Sequence, residues 1–344
     1  MSEDRILDVR DVYTYFRTES GVVKALDGVS FDIRYNESVG VVGESGCGKT
    51  VTSRSILRIL PKNGEVVDGQ INYKNVDLLA LSDSEMRTVR GKEIALLFQD
   101  PLSALNPVMS IREQMVDVIM LHRFVTEDEA EAIAIEMMNE VGIPEAEKRI
   151  FDYPHQYSGG MRQRILIARA LALQPSLLIA DEPTTALDVT IQAQVLDIIR
   201  KMRQDLNLSM MLITHNLGVV AENTDRIHVF YGGRVVESGP TREIFKDPHH
   251  PYTIALLESI PSFKEGKGRL STIPGSVPQL INPPKGCRFH PRCAYVTANC
   301  KKRPPMVKIS EDHYVACFHV DRVIKRDINS DYDPMLGYAE DKLE

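Results

Sequence analysis

Gly43 to Thr50 reads Gly-Glu-Ser-Gly-Cys-Gly-Lys-Thr and meets the spacing G-x-x-x-x-G-K-[ST] at every fixed position. Glycines at those places let the backbone curl until its N–H groups point inward, and a following helix start adds partial positive charge. A triphosphate settles into such a nest, with Lys49 on the β- and γ-phosphates and the Thr50 hydroxyl on Mg²⁺. Two carboxylates, Asp181 and Glu182, follow the apolar run Leu177-Leu178-Ile179-Ala180. Paired acids at a buried strand end are costly unless a cation or a substrate uses them. Downstream of a phosphate loop, Asp181 is the residue to order Mg²⁺ and Glu182 the general base on an attacking water. His215 ends the neighbouring run Met210–Thr214, where it can hold a γ-phosphate. Ser158-Gly159-Gly160 opens a helix and offers a second set of exposed N–H groups to an anion. One chain with two phosphate-binding surfaces suggests an ATP shared between subunits.

A second constellation lies near the other end. The cysteines run Cys287-x₅-Cys293-x₆-Cys300-x₁₆-Cys317. Four thiolates suit either a tetrahedral Zn²⁺ or a [4Fe–4S] cluster, and spacing alone leaves both open. Gaps wider than C-x-x-C lean against a zinc knuckle. The fifth cysteine, Cys47, sits in the phosphate loop, where triphosphate hydrolysis needs no thiol.

The elements that must position these groups follow from pattern. Val39-Gly40-Val41-Val42 reads as a buried strand feeding the loop, and Thr50 to Leu60 as a helix stopped by Pro61. Residues 5 to 42 read as short strands. The aromatics Tyr13, Tyr15 and Phe16 there form a face able to stack on adenine. Ser82–Glu85 and Thr126–Glu129 are capping boxes that open helices. Ile94–Phe98 is an apolar strand ending in Gln99, at the end where α/β sheets place ligand contacts. Residues 107 to 150 become helical and Met-rich, and the helix from Thr126 is expected to bury Ile133, Ile135, Met137, Met138 and Val141. Strand–helix–strand alternation through His215 predicts a mostly parallel sheet covered on both faces. A Pro-rich stretch (248 to 284), the cysteine segment and an acidic tail follow. With few large apolar residues, the cysteine segment is expected to have a meagre core of its own and to rely on a metal.

At 344 residues the chain has room for one large or two modest domains. Its net charge of −7 gives no electrostatic support to nucleic-acid binding. The polar N-terminus does not read as a signal peptide, and no run of 18 apolar residues occurs. The chain is therefore expected in the cytosol, a reducing compartment where its cysteines stay unpaired.

Together these motifs resemble the ATP-binding cassette family of transport ATPases. The resemblance identifies Gly43–Thr50 as Walker A, with Gly43, Ser45, Gly46, Gly48, Lys49 and Thr50 on the nucleotide. Gln99 is the Q-loop, Tyr157–Met161 the signature, Leu177–Glu182 Walker B, Ala186-Leu187-Asp188 the D-loop and His215 the switch histidine. It implies Mg²⁺ on Thr50, Gln99 and Asp181, and Phe16 or Tyr15 on adenine. It also implies a head-to-tail cassette dimer in which Ser158, Gly159, Gly160 and Asp188 complete the partner's site. The signature departs from the commoner Leu-Ser-Gly-Gly-Gln but keeps Ser158 and Gly160.

Phe98-Gln99-Asp100-Pro101, Leu105-Asn106-Pro107, His250-Pro251-Tyr252-Thr253 and Gly286–Cys293 are similar to the dipeptide/oligopeptide importer ATPases. That subfamily implies a [4Fe–4S] cluster on the four cysteines, with Zn²⁺ as the alternative. It implies a distinct second ATPase, two integral membrane permease subunits, an extracytoplasmic solute-binding protein and a place on the cytoplasmic face of the membrane. Nickel or oligosaccharide are its other solutes. A soluble ABC protein of DNA repair or translation is the rival class, but the chain has neither a long coiled coil nor tandem cassettes. The expected fold is α/β: an ABC-type ATPase domain over 5–260, with a mostly parallel core sheet, an N-terminal antiparallel β subdomain and a helical insert near 100–172. A Pro/Cys-rich metal-binding domain over 261–325 and an acidic tail over 326–344 complete it.

Overall fold

The computed structural model describes residues 4–98, 104–185, 188–260 and 273–325. Gln99, Ala186, Leu187 and the acidic tail lie outside the described residues. The strands, in chain order, are β1 (Arg5–Thr18), β2 (Gly21–Arg34), β3 (Ser38–Val42), β4 (Gly64–Tyr73), β5 (Val76–Asp77) and β6 (Ile94–Leu97). After the helical stretch come β7 (Leu177–Asp181), β8 (Ser209–Ile213), β9 (Arg226–Tyr231), β10 (Arg234–Pro240), β11 (Val307–Lys308) and β12 (Tyr314–Val315). The chain divides into two compact units.

One unit comprises the N-terminal residues through Ile6, then Ile33–Glu37 and Ala80–Leu212. Here β6 and β7 pair in parallel, Ile94 opposite Leu177, and β8 lies on the other side of β7. β7 and β8 are buried at every position, as continuous apolar strands covered on both faces must be. The Met-rich stretch folds into helices Ile111–His122 and Glu127–Glu140, each opened by a complete capping box on Ser110 and Thr126. The second helix buries Ala130, Ala134 and Met138. Ile133, Ile135 and Met137 are only half-buried, contrary to the expectation, because the small alanines form the stripe that packs closely.

The other unit comprises Leu7–Asp32, Ser38–Leu79 and the chain from Ile213 onward. β2, β1, β4 and β5 form an antiparallel sheet in that order, with Leu7 opposite Tyr73. The expected short strands are in fact two 14-residue strands, which alternate buried and open positions through Ala25, Val29, Phe31 and Ile33. β3 pairs in parallel with β9, Val42 opposite Val229; β9–β10, β10–β12 and β12–β11 are antiparallel. The helix after the phosphate loop runs Lys49–Ile56 and ends four residues before the expected Leu60. Arg58 takes a positive φ of 52°, which breaks the helix before Pro61 can.

The cysteine segment does not stand on a core of its own. Phe289, Cys293, Tyr295, Val296, Cys300 and Val323 join one buried cluster with Val229, Tyr231, Val236, Tyr252 and Leu257. Tyr231, Tyr252 and Phe289 meet ring to ring at 4.6, 5.1 and 5.5 Å. The count of apolar residues within the segment missed this, because the aromatic partners come from β9 and the helix Pro251–Glu258.

Candidate functional site

The phosphate loop leaves buried β3 and turns on glycines. Gly43 has φ 149°, and a Cβ there would sit 2.2 Å from the Phe230 carbonyl oxygen, so no other residue fits. Gly46 and Gly48 also have positive φ, and Gly48 caps the helix Lys49–Ile56. Lys49 is 6% exposed, and its Nζ donates to the carbonyls of Gly43 (2.8 Å) and Glu44 (3.1 Å). The ammonium is thus held over the loop, the position from which it reaches phosphate. Thr50 is the second residue of that helix, half-buried. Burial pushes the Cys47 thiol up despite nearby Lys49, which suits an inert packing residue and not a nucleophile.

On β1 the two adenine candidates point to opposite faces. Tyr15 reaches Asp27 through its hydroxyl (3.5 Å), under the Lys24 ammonium. Phe16 lies against Gly64, where a Cβ would come within 2.5 Å of its ring. It shares its face with Thr14, whose hydroxyl bonds Ser55 on the phosphate-loop helix at 2.9 Å. His215 follows β8 and is exposed.

The other unit carries the remaining motif residues. Asp181 is the last residue of β7 and 6% exposed. Glu182 follows with φ 49°, a conformation that non-glycine residues adopt only when neighbours hold it there. Thr185 helps, its hydroxyl donating to Glu182 Oε2 at 2.9 Å. Ser158 caps the 13-residue helix Gly159–Leu171, its Oγ accepting from Met161 N–H. Gly160 lies so close to Ile191 that a Cβ would sit 2.7 Å from it, while nothing crowds Gly159. Asp188 caps the helix Val189–Asp205 through Ile191 N–H.

The phosphate loop has neighbours that spacing could not reveal. Arg292, one residue before Cys293, forms a two-pronged pair with Glu44 of the loop (2.8 and 3.2 Å). The Tyr252 hydroxyl accepts the Glu44 backbone N–H at 2.8 Å. Close by, Arg234 and Arg288 both pair with Asp27; burial works to raise its pKa, but the two guanidiniums win and hold it below the ordinary range. These partners lie 248, 208, 207 and 261 residues apart in the chain. Their traces in the sequence are Arg288 and Arg292 inside Gly286–Cys293 and Tyr252 inside His250–Thr253; Arg234 lies in none of the motifs.

The four cysteines are unpaired and line one cavity together with His250, Phe289 and Tyr295. Backbone N–H groups of Tyr295 and His319 point at the sulfurs of Cys293 (3.4 Å) and Cys317 (3.3 Å). Burial pushes the thiols up, Cys287 to about 12 and Cys317 to about 11, with the mutual repulsion of the group adding to it. Cys293 is raised well above its ordinary value for the same reasons. Such thiols ionise only against a cation.

The ABC transporter family profile matches residues 26–185, and the profile of the oligopeptide/dipeptide transporter C-terminal region matches 236–300. The chain is 47% identical over 314 residues to the oligopeptide transport ATP-binding protein OppD of Bacillus subtilis, covering 90% of this chain and 88% of that one. It is 45% identical over 321 residues to the dipeptide transport ATP-binding protein DppD of the same organism, covering 93% and 96%. Among solved structures, the dimeric ATP-binding cassette MJ0796 bound to ADP and Pi superposes with a TM-score of 0.61 at 26% identity. It covers 69% of this chain and 99% of that one. The chain therefore belongs to the ATP-binding cassette transporter family, among the ATPases that carry the oligopeptide/dipeptide transporter C-terminal region.

Proposed function

We propose that this protein is the ATP-hydrolysing subunit of an importer that takes up peptides through membrane permease subunits. The observation that carries the reading is the phosphate loop itself: positive-φ glycines at a helix start, with a buried lysine folded over them. The solute rests on the kinship with OppD and DppD; nickel and oligosaccharide are the alternatives. Lys49 binds the β- and γ-phosphates, Ser45 and the loop glycines surround them, and Phe16 stacks on adenine. Its place on the Thr14–Ser55 face supports Phe16 over Tyr15. Thr50, Asp181 and Gln99 are the residues to hold Mg²⁺, which neutralises phosphate charge when bound. Glu182 accepts a proton from water as the water oxygen attacks the γ-phosphorus. The bond to the β,γ-bridging oxygen breaks, and ADP and phosphate leave. His215 holds the γ-phosphate, and Ser158, Gly159, Gly160 and Asp188 complete the site of a second, related ATPase.

The cysteine cavity suits a polynuclear cluster. A single Zn²⁺ with Zn–S near 2.3 Å draws its sulfurs to roughly 4 Å of one another. Among the described residues no three of these sulfurs gather within 4.8 Å. A [4Fe–4S] cluster on Cys287, Cys293, Cys300 and Cys317 supplies the positive charge that the raised thiols of Cys287, Cys293 and Cys317 need. On this reading 5–260 is the ATPase domain with its helical insert near 100–172, 261–325 the cluster domain and 326–344 an acidic tail. No helix among the described residues is long and apolar enough to cross a membrane, so transport needs integral partners, and we place the chain on the cytoplasmic face.

The test is reconstitution in liposomes with permease subunits, a second ATPase and a solute-binding protein. ATP-dependent accumulation of labelled peptide is expected. Accumulation of nickel or oligosaccharide instead would reassign the solute, and ribosome or DNA association without membrane partners would overturn the transport role.

A further inference from the structure

Three buried side chains outside both sites converge from distant segments: Glu237 of β10, His249 before the helix Pro251–Glu258, and His313 in the turn between β11 and β12. Their exposures are 0, 4 and 2%, and one ligand atom from each lies within 4.8 Å of the other two. We propose that Glu237, His249 and His313 form a binding site for a divalent cation of the zinc class. It uses none of the cysteines and staples the C-terminal segment to β10.

A hydrogen-bond network accounts for only part of this arrangement. Glu237 accepts the His249 and His250 backbone N–H groups at 2.6 and 3.0 Å, and His313 Nε2 lies 2.8 Å from its Oε1. His249 Nδ1, however, is buried with no partner. A buried ring nitrogen without a hydrogen-bond partner, beside a carboxylate and a second imidazole, is a donor open to a cation. The opposite edges of both rings support this. His249 Nε2 faces Asp247 at 3.7 Å, and His313 Nδ1 faces Glu243 at 3.6 Å. A carboxylate thus stands on the far side of each imidazole, where the outer-shell partner of a ligating histidine sits. Two imidazoles and one carboxylate suit Zn²⁺ or Co²⁺, whereas Mg²⁺ and Ca²⁺ prefer all-oxygen sets. The cation replaces the proton between His313 and Glu237, and water completes the fourth position.

The test uses the full chain, stripped with EDTA and titrated with Zn²⁺ against a chromophoric chelator, beside His249→Ala and His249→Gln. His249→Ala removes the orphaned nitrogen and, among the described residues, breaks no side-chain hydrogen bond; circular dichroism checks its fold. Wild type should bind one Zn²⁺ more than either variant, or bind it at least tenfold tighter. Equal stoichiometry and affinity in all three would overturn the site. Co²⁺ titration of wild type alone gives a second reading. Visible d–d bands saturating at an equivalent with no thiolate-to-cobalt charge transfer are expected. Bands that appear only with that charge transfer would place all metal on the cysteines and refute the proposal.

Discussion

Arg292 ties the cysteine segment to the phosphate loop, and its removal should be felt in both. The guanidinium is 5% exposed and Glu44 26% exposed. Beyond the two-pronged pair, Arg292 Nε donates to the Pro274 carbonyl at 2.6 Å, and further donors reach Tyr231 Oη and the Ile273 carbonyl at 3.3 Å. At an effective dielectric near 20, opposite charges about 4 Å apart attract by about 4 kcal/mol, and the partial exposure of Glu44 should halve that. Glu44→Gln keeps the shape and should cost about 1 kcal/mol. Arg292→Met keeps the stem, orphans the carbonyls and should cost about 3 kcal/mol. Urea unfolding of wild type, both single variants and the double variant should therefore give a coupling energy of about 2 kcal/mol. Because Glu44 also holds Lys49 through its carbonyl, Arg292→Met should weaken ATP binding roughly fivefold, the equivalent of about 1 kcal/mol. A coupling energy below about 0.5 kcal/mol, with unchanged ATP affinity, would refute the clamp.

Lys49→Ala should weaken Mg-ATP binding at equilibrium by at least tenfold, since it removes a charge from the phosphate nest; unchanged affinity would contradict the site. A Cys→Ser change at any of the four positions should cost iron and sulfide on anaerobic purification and loosen residues 285 to 320 to protease. Colourless protein with stoichiometric zinc would contradict the cluster. With Arg292 on Glu44, nucleotide binding should survive that loss but be weakened. His228 is buried and held neutral well below the ordinary histidine range, by burial first and by Arg226 second, with Nδ1 near Ser238 Oγ. Its folded pKa is depressed, so the unfolded chain takes up the proton first. Its contribution is complete above about pH 6.5 and falls away in acid, by about 2 kcal/mol at pH 5. Urea midpoints at pH 7 and 5 should converge in His228→Asn, and an unchanged pH slope would contradict the assignment.

Local spacing made much of the nucleotide site legible. A phosphate loop needs its glycines, lysine and threonine within eight residues, and a buried strand announces itself by a continuous apolar run. The capping boxes at Ser82, Ser110 and Thr126 are equally local. What sequence could not supply was contact across long separations. Arg292 on Glu44, Tyr252 on the loop backbone and the shared aromatic core of Tyr231, Tyr252 and Phe289 depend on how β9, β10 and the C-terminal segment come together. The same holds for His249 and His313. Each reads alone as a stray histidine; the pairing of β10 with β12 brings His313 to Glu237, and the backbone N–H of His249 brings the other. The early end of the helix after Lys49 turned on one left-handed residue, Arg58, which no propensity marks.

The central claim is that this chain hydrolyses ATP with Glu182 as the base. Glu182→Gln keeps the side chain's size but cannot accept a proton, and loss of a general base typically lowers turnover by ~10²–10⁴-fold. The direct measurement is Mg-ATP affinity and steady-state turnover of this variant, in the assembled complex with its second ATPase and permease subunits. The account predicts affinity within about twofold of wild type, turnover at this site reduced at least a hundredfold and a closed, ATP-bound dimer that accumulates. Near-normal turnover at this site would move the base to another residue and contradict the account.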